Sequence, residues 1–80
     1  MKFENAKIGM IVKVKQENKY FFSCYEDKYG EIIDINAACD DLHILVDFGG
    51  DEDLGNCEDL TYKDENGNLF THDMLGEWNE

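Results

Sequence analysis

The residues of this chain with chemistry to offer are its carboxylates and its thiols. Asp51, Glu52 and Asp53, then Glu58 and Asp59, then Asp64 and Glu65, place seven acids within fifteen residues. Calcium ligation is the first chemistry such a run suggests. An EF-hand loop needs acids at alternating positions, a central glycine and a closing glutamate, and neither Asp51 nor Asp64 starts that register. Paired carboxylates also serve in acid–base catalysis, yet these fall in expected turns with no accompanying nucleophile or base. Cys24, Cys39 and Cys57, with His43 and His72, could in number supply four zinc ligands. The thiols are widely spaced and lack a Cys-x-x-Cys pair, which fits reduced, mostly buried cysteines better than a metal site or a disulfide framework. His43 on an outward strand face and His72 beside Asp73 read as solvated or hydrogen-bonded residues. The expectation is a protein that is not an enzyme, with no catalytic residues, no metal and no cofactor.

Charge is the strongest signal in the composition. Nineteen acids stand against seven cations, all of them lysine, for a net charge of −12 over 80 residues. Residues 1–20 carry five lysines and two acids, whereas residues 40–80 carry one lysine and thirteen acids. The acidity therefore belongs to the second half, and such a surface repels phosphate backbones, so direct nucleic-acid binding is not expected. Eighty residues without a linker-like stretch imply one domain, spanning 1–80, with a modest core. No apolar run approaches the roughly 20 residues needed to span a bilayer. The N-terminus lacks the apolar stretch of a signal peptide, so the expectation is a cytoplasmic protein without membrane contact.

The elements that would position these groups are short strands. Met10, Val12 and Val14 alternate with Ile11, Lys13 and Lys15 in a first strand over 10–15. Residues 31–36 follow a glycine and are rich in isoleucine, and in 43–48 Ile44, Val46 and Phe48 share one face. The brief connection between these two makes them antiparallel neighbours, and Gly49-Gly50 ends the second. Residues 60–63 and 69–71 suggest a further hairpin. A three-residue loop with Gly67 in the left-handed position pairs Tyr62 with Phe70 and keeps the faces unmixed. Asp73 then caps a helical turn in which Met74, Leu75 and Trp78 share a side. The predicted core is Val12, Val14, Ile33, Ile35, Ile44, Val46 and Phe48.

This pattern, with Gly9-x-x-Val12-x-Val14, Gly30-x-Ile32-Ile33-x-Ile35, Ile44-x-Val46-x-Phe48 and Leu60, resembles the SH3-like small barrels, including Tudor, KOW and mind-bomb-type domains, over residues 8–62. The fold expected is all-β and mainly antiparallel, either a small SH3-like barrel or a strongly bent sheet with a short C-terminal helical turn. The resemblance implies five short, bent strands around a small core. Residues 49–56 depart from it, being too acidic and glycine-rich for a fourth strand, so the barrel is expected to be incomplete there.

Two binding surfaces follow. In size, acidity and absence of active-site motifs the chain is similar to the DNA-mimic inhibitors that phages and mobile elements direct against restriction and CRISPR effectors. That similarity implies a protein partner with a basic surface, contacted by Asp51, Glu52, Asp53, Glu58, Asp59, Asp64 and Glu65, with Tyr62 or Trp78 as an apolar anchor. The alternative is a peptide-recognition module using Tyr20, Phe22, Tyr25 and Tyr29. Tudor-like domains hold methylated cations with aromatic rings and a nearby acid, a part Glu26 or Asp27 would play. The bland reading of those rings is that they fill the mouth of a small core.

Overall fold

A computed structural model describes residues 1–21, 25–35 and 43–79, the last four of these by backbone only. Five strands form one antiparallel sheet: β1 (Ile11–Val14), β2 (Tyr29–Ile35), β3 (Ile44–Asp47), β4 (Glu52–Gly55) and β5 (Leu60–Thr61). Their order is β4-β3-β2-β1-β5, so β4 and β5 are open edges and the sheet does not close into a barrel. The helical segments among the described residues are all 3-10, including Phe3–Asn5, Cys57–Asp59 and His72–Asn79. No helix among them is long and apolar enough to cross a membrane.

The sequence pattern explains the central strands. Val12 and Val14 on β1, Ile32 on β2, Ile44 and Val46 on β3, and Leu60 on β5 are fully buried on one face. Phe21, Phe48 and Cys57 complete this core. One inward residue differs from expectation: Ile32 is buried and Ile33 only half-buried. The pairing of β2 with β3 passes from Ile32↔Val46 to Asp34↔Leu45, leaving Ile33 as an extra residue in the ladder. The bulge shifts the alternation by one, so Ile32 points inward before it and Ile35 packs against the core after it.

The larger correction concerns β4. Residues 52–55 form a strand despite their acidity, because Gly49 and Gly50 make a two-residue hairpin loop with both φ values positive, at 89° and 112°. Phe48 donates to the Asp51 carbonyl at 2.7 Å, and the Asp47 carboxylate accepts from the amides of Gly49 and Gly50. Gly55 then lies under the ring of Phe21, where a Cβ would collide with the aromatic carbons. Conversely, residues 69–71 do not form a strand, and the pairing beyond β5 shrinks to a bridge between Lys63 and Leu69. Its register is the one that sets Tyr62 opposite Phe70, whose amide donates to the Tyr62 carbonyl, with Gly67 at a φ of 83°.

Candidate binding surface

The sheet register assembles carboxylates that the sequence scatters. Glu31 on β2 lies opposite Asp47 on β3, and Asp47 lies opposite Glu52 on β4. Cross-strand partners project from the same face, so the three acids form one row on the side away from the core. At a strand spacing of roughly 4.8 Å the row is about 10 Å long. Glu52 is exposed and Glu31 and Asp47 are half-buried, whereas Asp53 lies opposite Val46 and Asp51 beside Phe48, which puts both on the core side of the β4 edge and outside this row. Glu31 and Asp47 were not among the acids singled out from the sequence. Their signal was the positional alternation of each strand, but the register that joins them depends on the bulge.

Other predicted acids are placed differently. Glu58 is exposed in the 3-10 turn before β5. Asp64 uses one carboxylate oxygen to accept from the amides of Asn66 and Asn68, at 2.8 and 2.9 Å, so it organises its own loop, while Glu65 is exposed. Glu58 precedes β5 and Asp64 and Glu65 follow it, at the opposite edge of the sheet from β4. The seven acids are thus not one patch.

Asp59 must be removed from the surface altogether. It is 2% exposed, and its carboxylate accepts from the backbone amides of Lys19, Tyr20 and Phe21 at 2.9, 2.6 and 3.2 Å. Its carbonyl accepts from the amide of Lys15 at 2.8 Å. A buried anion is tolerated where several donors replace water, and here those donors are loop amides with no ladder to join. Asp59 therefore pins the start of the long β1–β2 connection to the 3-10 turn. It is unavailable to a partner.

The aromatic candidates do not form a single surface. Tyr25 stacks on Phe48 at 4.1 Å and 11° and packs against the core. Tyr29 projects from the opposite face of the sheet, edge-on to Phe70 at 5.1 Å, with the Lys13 ammonium 5.7 Å from its ring. Tyr20 is half-buried with the Lys19 ammonium over it. Phe22 lies outside the described residues. Asp27, one of the two acids considered for a cation cage, accepts from the Gln16 amide at 2.9 Å and lies 3.8 Å from the Lys13 ammonium. Of the two anchors, Tyr62 is half-buried with the Lys63 ammonium 5.2 Å from its ring, and the side chain of Trp78 lies outside the described residues.

Cys57 is a free, buried thiol. Burial pushes its pKa up, opposed by the neighbouring N-terminal ammonium. Cys24 and Cys39 lie outside the described residues. Among the described residues no group of three or more His, Cys, Asp and Glu side chains is arranged to hold a metal ion. His43, expected to be solvated or hydrogen-bonded, lies 3.3 Å from the Asn56 amide nitrogen and 5.0 Å from the Phe3 ring. No family model, characterised protein or solved structure matches this chain, so its reading rests on the geometry above.

Proposed function

We propose that this domain works by binding and not by catalysis, presenting the acidic β2-β3-β4 face to a basic groove on another protein. The partner class is one whose groove ordinarily holds nucleic acid, such as a host defence nuclease of the CRISPR or restriction type. The observation that carries this reading is the row Glu31, Asp47, Glu52. Like charges directly opposite on neighbouring strands destabilise a sheet, and an 80-residue domain has little stability to spare. A row of carboxylates on neighbouring strands, its middle member Asp47 also accepting from the Gly49 and Gly50 amides, supplies the repeated negative charge that such a groove attracts. Glu52 makes the outermost contact in this reading, with Asp51 and Asp53 on the other face of the β4 edge and Glu58 and Glu65 peripheral.

The finer fold reading belongs with this proposal. The order of strand, long connection, three meandering strands, 3-10 turn and short last strand supports an opened relative of the SH3-like small barrels. The aromatic peptide-recognition alternative is less favoured, since Tyr25 and Tyr29 sit on opposite faces. The test is a pull-down at low salt followed by elution with short duplex DNA. A partner released by the duplex, and no longer captured by the combined variant Glu31→Gln, Glu52→Gln, supports the mimic. A partner that stays bound in excess duplex would refute it.

A further inference from the structure

The lysines of this acidic protein are not evenly spread, and one concave surface is lined, among the described residues, by two of them without an acid. Between the N-terminal segment and the 62–69 hairpin lies a groove of about 530 Å³, lined by Lys7, Met10, Tyr62, Lys63 and Leu69 together with Asn5 and Gly67. Leu69 is 59% exposed at the groove. The groove beside it, which shares Asn5 and Tyr62, pairs Lys2 and Lys15 with Glu4 and Glu58 and so presents no net charge from its side chains. Asp64, next to Lys63 in the chain, accepts amide hydrogens from its own loop at one carboxylate oxygen.

We propose that the Lys7–Lys63 groove is a second binding site, independent of the acidic face, for a short acidic peptide segment that carries a hydrophobic side chain. The apolar floor of Met10, Tyr62 and Leu69 takes the hydrophobic residue, and the two ammonium groups take carboxylates on either side of it. Charge decides the length of the occupant. A long polyanion would run off this patch into a molecule of net charge −12, whereas repulsion from beyond about 8 Å is screened, so the two lysines act on a short segment against the acids adjoining them in the chain, Glu4, Asp64 and Glu65. A nucleic-acid strand is therefore disfavoured and a local acidic motif favoured.

The experiment is an amide-resolved NMR titration of the intact chain with a pentapeptide in which one leucine is flanked on each side by two glutamates. Saturable shifts at Lys7, Met10, Lys63 and Leu69, weakened about fivefold or more in the combined variant Lys7→Gln, Lys63→Gln, support the site. The variant's spectrum away from the groove should be unchanged. Leu69→Ala, an exposed truncation that leaves both charges, should weaken binding separately. The proposal is overturned if the glutamine version of the peptide binds equally well, or if a thymidine pentanucleotide shifts these amides and the peptide does not. It is also overturned if the same amides shift with protein concentration alone, which would make a second copy the occupant.

Discussion

Asp59 and Glu52 are both acids on the same short stretch of chain, and they do opposite things. Asp59 is buried and accepts from three backbone amides, so its charge holds a loop. Glu52 is exposed on an edge strand opposite another acid, so its charge works against the sheet. A count of carboxylates treats them alike. The difference teaches that a carboxylate among the described residues counts by its backbone partners and not by its exposure alone: Asp47 and Asp64 also hold turn amides, whereas Glu52 faces solvent opposite a like charge.

The sharpest way to break that contrast is Asp59→Ala. Three loop amides would lose their acceptor, and we expect a loss of about 2 to 4 kcal/mol in chemical denaturation. Asp59→Asn, which keeps one acceptor oxygen, should cost less. Equal midpoints for Asp59→Ala and the parent would show that the carboxylate is not an anchor.

Next in size is a comparison within β2 that tests the bulge on which the acidic row depends. Ile32→Ala should cost roughly 2 to 4 kcal/mol through lost burial and a residual cavity, and Ile33→Ala clearly less. Similar losses at the two positions would put the register of Glu31 against Asp47 in question.

A smaller effect is expected at Glu52→Gln. Removing one of three opposed charges should stabilise by up to about 0.5 kcal/mol or leave stability unchanged, and added salt should help the parent more than the variant. A clear loss of stability, seen as a lower melting temperature at low salt, would place Glu52 on the structural side with Asp59.

The thiol gives a pH-dependent check on the core beneath both acids. Because the folded pKa of Cys57 is raised, its contribution is fully present below the unfolded thiol pKa and is lost as pH rises towards the folded one. In a Cys24→Ser, Cys39→Ser background, denaturation midpoints should fall on going from neutral pH through the ordinary thiol range, and Cys57→Ala should flatten that slope. Alkylation of Cys57 should likewise be slow until the protein unfolds. Rapid modification under native conditions would mean that the turn holding Asp59 opens readily.

Some of this was legible without coordinates. Ile44, Val46 and Phe48 announce their common face through strict alternation, and the antiparallel neighbours β2 and β3 follow from a short connection. The loop that sets Tyr62 opposite Phe70 follows from the argument that the faces must not mix. β4 was missed because its composition was weighed above its turn: Gly49-Gly50 directly after a strand is itself a hairpin signal, and cross-strand pairing outweighs the low β-propensity of Glu and Asp.

By itself the amino-acid sequence determined the fold class, the faces of the first and third strands and the concentration of acid in the second half, because these depend on neighbours within a few residues. Only the tertiary structure decided that Asp59 is an anchor, that Tyr25 and Tyr29 part company across the sheet, and that Glu31, Asp47 and Glu52 stand in a row. Each of those depends on which distant backbone arrives beside the side chain, and a single bulged residue in β2 is enough to change the answer.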